Sequence, residues 1–490
     1  MIDLIVRGGQ VVTPWGVGDW DVAVEGEKIA AVASPGSLPG DVGRVVDASG
    51  KIVVPGGIEP HSHVAMPIWT SVTGHPHMAP ARPMHPPAET APPDEASRSA
   101  LFGGTTTIMD FAHVEPSSDI FSAIEEKNGR WRGGSYCDYT YHCMLLGDIS
   151  QRTIAQVPEA IQSGFPTFKI FTTDILPQSR IPPGVGWQAR MGHISAIMEQ
   201  AAANGGLLTV HSEDDDMVQY NYAKLDREER TEWFNIYEVH TNMVEDVSFR
   251  RVLRLAEWAG AAVYFVHVSA KEGVNSILEA RGKGLPVYGE TLHNYACFNA
   301  EDYKKPDGMK YHTYPSLKSE EDRQALWEGL VKGGLNTIAT DEFCSSYSVK
   351  THGKSVNDMT GGHNGTEARM GITYSVGVGD LGMSLQRFVE VTSANAAKIM
   401  GMYPRKGAIA PGSDADIVLI DPTIDRNLDL SDLHISDYSI WEGWPIHGWP
   451  VTTILRGKVV VENGQFFATP GGGQLIPRKI DADVLNRPAC

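Results

Sequence analysis

Cysteine is scarce and scattered. Cys137, Cys143, Cys297, Cys344 and Cys490 are the five thiols in 490 residues, and none forms a CxxC pair. An odd, dispersed set excludes a disulfide framework and fits reduced thiols in a cytoplasmic protein. Long apolar runs are also missing: no 18-residue apolar stretch exists, which excludes a membrane-spanning helix. The opening MIDLIVRGGQVV lacks the basic start and long apolar core of an export signal. Positive charge is in deficit, with 41 Lys and Arg against 60 Asp and Glu and a net charge of −19. Neither nucleic acid nor an anionic membrane surface is an expected partner of so acidic a chain. What remains, at 42% apolar and 21% charged residues, is a globular composition. The length predicts one large domain with a smaller one.

The texture of the chain changes twice. The first 50 residues alternate short β-like runs with turns: LIVRG, QVVTP, DVAVEGEKIAAV, RVVDASGKIVV. Similar runs return at 412–422 and 452–467. Residues 1–55 and 405–468 are therefore expected to build one small β-sandwich from both chain ends. Between them, over 56–404, short apolar strands alternate with amphipathic helical segments. Thr105–Phe111, Cys137–Leu145, Thr167–Phe171, Leu207–His211, Val263–Val268, Val287–Glu290 and Thr337–Asp341 are predicted strands. With the strand entering His61 they make eight, with helices between them such as 193–206, 247–260 and 320–334. The fold class that follows is α/β, a (β/α)8 TIM-type barrel. An open doubly wound sheet is the alternative, but no GxGxxG follows the first strand. Residues 65–96, rich in Pro, Met and His, read as a long loop at the barrel mouth. Its His75, His77 and His85 are either additional ligands or solvated side chains. Residues 469–490 read as a C-terminal arm that could reach a neighbouring subunit.

The chemistry sits at strand ends. KIVVPGGIEPHSH places His61 and His63 two apart, on one side of an extended chain, where both can grip one metal ion. Alone the pair could be two surface histidines. Further polar residues stand at the same rim: Lys169 inside TFKIF, His211 closing LLTVH, His267 in VYFVHVS and Asp341 in NTIATDE. Barrels carry their reactive groups on this rim. A lysine enclosed by Phe168, Ile170 and Phe171 is costly unless neutralised or paired.

Over nearly its whole length the chain resembles the amidohydrolase superfamily, and within it the dihydropyrimidinase/hydantoinase family of cyclic amidases. PGGIEPHSH, FGGTTTIMDF, CDYTYH, FKIF, VHSE, VHVS, YGETLHNY, ALWEGL and NAAKIMGMYPRKGAIAPGSDADIVLIDP carry the resemblance. It implies two divalent metal ions, zinc first and manganese second. His61, His63 and Asp341 would hold one ion, His211 and His267 the other, and Lys169, carboxylated by CO2, would bridge them. It further implies a hydrolase that opens a cyclic amide, imide or ureide by attack of a metal-bridging hydroxide. Asp341 would be the catalytic base and then acid, and the protein a homo-oligomer, tetramer or dimer.

The departures from the family pattern lie around the substrate. Asp174 stands five residues after Lys169, where the family has an oxyanion-supporting tyrosine. The family's SPPLR reads Tyr314-Pro315-Ser316-Leu317-Lys318. Glu342 replaces a histidine behind Asp341, Gly361-Gly362-His363 replaces a PNG-like segment, and Glu59 replaces an aspartate before the HxH pair. Asp174, Tyr314, Glu342 and Gly361 are thus the candidate pocket residues. His113, His142, Arg180 and His240 are candidates for the missing tyrosine's role. The substrate is expected not to be a simple dihydropyrimidine. Competing readings are an allantoinase- or dihydroorotase-like hydrolase, the latter needing an arginine near the HxH strand where Arg82 stands in the long loop, and a non-catalytic adaptor like family relatives that have lost metal ligands, although all six positions are filled here.

Overall fold

The structure is a computed structural model that describes residues 2–38, 42–68, 88–178 and 186–490. Five strands open the chain: β1 (Leu4–Thr13), β2 (Gly16–Glu25), β3 (Lys28–Ala33), β4 (Arg44–Asp47) and β5 (Ile52–Pro55). Eight barrel strands follow: β6 (Gly57–Glu59), β7 (Thr105–Val114), β8 (Asp138–Leu145), β9 (Thr167–Phe171), β10 (Leu207–His211), β11 (Ala262–Phe265), β12 (Val287–Leu292) and β13 (Thr337–Ala339). Four strands close the chain: β14 (Ile417–Asn427), β15 (Pro445–Leu455), β16 (Lys458–Glu462) and β17 (Gln465–Phe466).

Strands β6 to β13 lie side by side in chain order. Every resolved pairing among them is parallel. The ring is drawn shut beyond the strand ends, where Ser62 and Glu342 form a parallel bridge and the His63 amide donates to the Glu342 carbonyl at 2.7 Å. This is the expected TIM-type barrel. Helices that cover it stop where the sequence supplies glycine. Met191–Asn204, Asn242–Ala259 and Glu320–Lys332 end at Gly205, Gly260 and Gly333, all with positive φ. Ser319 and Asp322 cap the start of the last one reciprocally.

Strands from both ends join one mixed sheet, in which β14 pairs with β5 and β15. Alternation along β14 serves two cores. Ile417 and Leu419 face Val6, Val11 and Val24 inside the sheet, while Val418 and Ile420 join the core shared with the barrel. The sheet curls back until Lys28, at the start of β3, bridges Asp414 just before β14. The apolar run before the HxH pair is divided between the two units. Ile52–Pro55 belongs to the terminal sheet, and the barrel starts only at Gly57. Gly56 makes the crossing, where a Cβ would stand 2.1 Å from Thr106 Oγ1.

Two expectations are altered. The helix Pro93–Phe102 begins inside the span read as loop, and Pro67 bridges Glu89 across that loop's base. The rest of it, 69–87 with His75, His77, Arg82 and His85, lies outside the described residues, as does Arg180. The C-terminal arm lies on its own barrel. Leu475 bridges Tyr139, and Ile476, Ile480 and Val484 share a buried cluster with Ile58, Leu207, Tyr264 and Tyr288. Arg478, buried, donates to Thr140, Thr167, Tyr141 and Met400. Among the described residues no helix is long and apolar enough to cross a membrane.

Candidate metal centre

His61 and His63 follow β6, Lys169 sits within β9, and His211 ends β10. His267 and Asp341 each lie two residues past β11 and β13. All six line one cavity of about 90 Å³ at the C-terminal rim of the barrel. His61 Nε2 and His63 Nε2 each lie 3.1 Å from Asp341 Oδ1. A donor atom from each of these three residues falls within 4.8 Å of the others. His211 Nδ1 faces His267 Nε2 at 2.9 Å. The two groups adjoin, the His61 and His267 ring centroids being 5.5 Å apart. Lys169 is buried between them and aromatic rings, with Nζ 5.1 Å from the centroid of Phe171 and 5.5 Å from that of Phe111.

Carboxylates behind the rings settle which nitrogens face the cavity. His61 Nδ1 bonds to Glu290 Oε1 at 2.7 Å, leaving Nε2 turned inward, buried and without a hydrogen bond. His211 Nε2 bonds to Glu213 Oε2 at 2.9 Å, leaving Nδ1 turned inward. Carboxylate–imidazole pairs of this kind orient histidine ligands in metal sites. Glu213 also accepts from His240 Nδ1 at 2.8 Å, so one acid braces two imidazoles. Glu59 receives the amides of His61 and Thr340 and is countered by buried Arg369. The backbone is strained at two of the six residues: His267 has φ 39° and Asp341 φ 51°, a region side-chain-bearing residues seldom adopt.

The electrostatics fit a cation. Burial pushes Glu59 and Glu290 up to about 8, against the pull of Arg369 on the first and Lys169 on the second. Burial lowers His61, His211 and His267, keeping them as neutral lone-pair donors. It also lowers Lys169 to about 8, which makes a free amine accessible near neutral pH. Burial would raise Asp341, but His61 and His63 outweigh it and hold its carboxyl well below the ordinary range. Inward imidazole nitrogens, an ionised carboxylate and a lysine with no hydrogen-bond partner among the described residues are a donor set suited to divalent metal.

The candidate pocket residues divide. Tyr314 and Gly361 line the cavity, and a Cβ on Gly361 would stand 2.5 Å from Tyr314 Cδ2. Asp174 and Glu342 do not line it. Asp174 Oδ1 accepts the amides of Trp187 and Gln188 at 2.5 and 3.1 Å. Glu342 Oε2 accepts Gly365 N, Thr366 N and Thr366 Oγ1. His142 bonds to the Pro60 carbonyl, and His240 lies behind Tyr314. Neither lines the cavity, and nor does His113. Sequence reasoning did not single out the apolar wall of Met144, Trp187, Phe343 and Met359, or the bracing acids Glu213 and Glu290. The signal for Glu213 was present: an acid two residues beyond a strand-end histidine faces the same side. Met144 lies in β8, but Trp187, Phe343 and Met359 lie in loops, where no period marks which side chain turns inward.

The sequence pattern of the Amidohydrolase family matches residues 52–460. D-hydantoinase of Streptomyces coelicolor is 33% identical over 97% of this chain and 97% of its own length. Dihydropyrimidinase of Rattus norvegicus is 31% identical over 98% of this chain and 90% of its own. Among solved structures, dihydropyrimidinase from Brevibacillus agri superposes with a TM-score of 0.89 at 31% identity, over 98% of this chain and 100% of that one. The cluster of histidines at the strand ends, the braced imidazoles and these likenesses over nearly the whole chain agree: the chain belongs to the amidohydrolase family, among the hydrolases of the D-hydantoinase and dihydropyrimidinase kind.

Proposed function

We propose that the protein hydrolyses a cyclic amide, imide or ureide at a two-metal centre, and that its preferred ring is neutral and carries an apolar substituent. The observation that carries this reading is the convergence of all six candidate ligands on one cavity whose remaining wall is mostly apolar. His61, His63 and Asp341 would hold one ion and His211 and His267 the other. Lys169, carboxylated by CO2, would be shared, which accounts for a buried amine with no hydrogen-bond partner among the described residues. Bound zinc, or manganese, would supply an activated water and a Lewis acid for the ring carbonyl.

The chain's own groups do the rest. Asp341, held ionised by His61 and His63, is placed to take the proton of the attacking water and return it to the leaving ring nitrogen. The carbonyl carbon gains the C–O bond as the ring C–N bond breaks, giving an N-carbamoyl or N-acyl amino acid. Tyr314, Gly361 and Gly362 form the polar edge beside the reacting amide. Met144, Phe171, Trp187, Phe343 and Met359 exclude water and receive the substituent. Apart from Lys169 and Asp341, no lysine, arginine, aspartate or glutamate lines the cavity among the described residues. That favours a neutral ring over the carboxylate-bearing ring of a dihydroorotase. A filled set of ligand positions also disfavours a non-catalytic adaptor.

The test is a panel of hydantoins, imides, ureides and lactones assayed with zinc, manganese and bicarbonate. Rings with aryl or branched alkyl substituents are expected to give the highest kcat/KM. Turnover of dihydrouracil at least as efficient as that of every other ring would overturn the substrate assignment.

A further inference from the structure

Lys350 is fully buried and has no carboxylate partner among the described residues. It ends the short helix Tyr347–Lys350. Its Nζ donates to three backbone carbonyls: His312 at 2.5 Å, Gly362 at 2.6 Å and Thr360 at 2.7 Å. Burial alone pushes the lysine pKa well down. Three carbonyl acceptors, however, need three N–H donors, which only the ammonium form supplies.

The three acceptors belong to two segments distant from each other in sequence. His312 precedes Thr313 and Tyr314, while Thr360 and Gly362 flank Gly361. Thr313, Tyr314, Thr360, Gly361 and Gly362 all line the cavity, and Lys350 does not. The segments meet closely, since a Cβ on Gly361 would overlap the Tyr314 ring. A second tie, from Thr360 Oγ1 to the Val349 carbonyl at 3.3 Å, draws the 360 segment to the same helix. The Tyr314 hydroxyl adds one long bond between the segments, to the Met359 carbonyl at 3.3 Å. The three-pronged cation supplies three shorter ones.

We infer that Lys350 is a positioning residue that sets the polar main-chain edge of the substrate cavity by holding the 312–314 and 360–362 segments together. This rests on the reading of that cavity as the substrate site, so its test has one arm that needs no substrate. Metal-loaded protein would be compared with Lys350→Met, which keeps an unbranched side chain one atom shorter and removes its donors. Lys350→Gln, with two donors, and Lys350→Arg, which keeps the charge, would be made in parallel.

In the first arm, hydrogen exchange of amides in 311–314 and 359–363 is expected to quicken at least tenfold in the Met and Gln variants. Exchange in β9 and β10 and the metal content should stay within twofold of the parent. In the second arm, KM for the best ring substrate is expected to rise at least tenfold, with a smaller change in kcat and partial recovery in the Arg variant. If the Met variant does not fold, the Gln variant decides. Exchange in both segments within twofold of the parent in the folded variants would overturn the inference. So would an unchanged KM alongside quickened exchange. If no ring is turned over by the parent protein, the proposed function fails and the exchange arm alone decides whether the clamp exists.

Discussion

The floor and the wall of the cavity are built on different principles. On the floor, side chains act chiefly on side chains, although Glu59 and Glu290 also accept main-chain amides. Glu290 turns His61, Glu213 turns both His211 and His240, and Arg369 neutralises Glu59. On the wall, charged side chains act on the main chain. Asp174 holds the amides of Trp187 and Gln188, Lys350 holds three carbonyls, and Glu342 holds the turn at Gly365. A floor built this way requires particular residues at particular positions, because a metal accepts few donor types. A wall built this way can exchange the side chains that face the substrate while its loops stay fixed from behind. The difference explains how a family-like reaction centre can sit beneath an unfamiliar pocket.

The comparison breaks most visibly if the floor is removed. Stripping metal with a chelator, or replacing Asp341 with Asn, is expected to lower kcat by roughly 10³-fold or more. Activity of the stripped protein should return with zinc and bicarbonate. Lys169→Ala should lose both metal and activity, and millimolar acetate or propionate should restore part of each by supplying the missing carboxylate. Failure of every small acid to rescue would count against a carboxylated bridge. One layer further out, Glu213→Gln should weaken metal affinity by about 10–100-fold, read as a shift in the zinc dependence of activity.

On the wall the signature should invert. Asp174→Ala leaves the Trp187 and Gln188 amides without their acceptor, at a cost of about 1–3 kcal/mol in stability. It should raise KM while the metal content stays at the parent value. A loss of metal in that variant would show that wall and floor are not separable. The smallest effect on chemistry should come from the terminal sheet. Leu419→Ala, in its closed core, is expected to cost about 2–5 kcal/mol, measured by denaturant unfolding, with kcat/KM unchanged at temperatures where the protein stays folded.

The floor was the legible part. Five of its six candidate ligands stand at or just past the ends of apolar strands and Lys169 is enclosed in one, so periodicity locates them and residue type suggests their chemistry. TFKIF and LLTVH read as buried parallel strands because both faces are apolar, and both form at the expected residues. The split at Pro55-Gly56-Gly57 was harder to see. One apolar run serves two units there, and only the contact of Gly56 with Thr106 shows why the chain can cross. On the wall, the sequence marks positions 174 and 342 as unusual but cannot say which way their carboxylates turn. That depends on amides 13 and 23 residues away in the chain. The sequence shows the C-terminal tail, 469–490, only as an arm. Its anchors, Ile476, Arg478 and Ile480, are single residues that only the barrel's underside makes buried.

Metal stoichiometry tests most directly the proposal that a two-metal floor lies beneath a wall that departs from the family pattern. Purified protein, stripped and then reconstituted with zinc and bicarbonate, should retain close to two equivalents of metal per chain after gel filtration. The Asp174→Ala and Lys350→Gln variants should retain the same amount. Less than one equivalent in the parent protein, or loss of metal in the wall variants, would contradict the account.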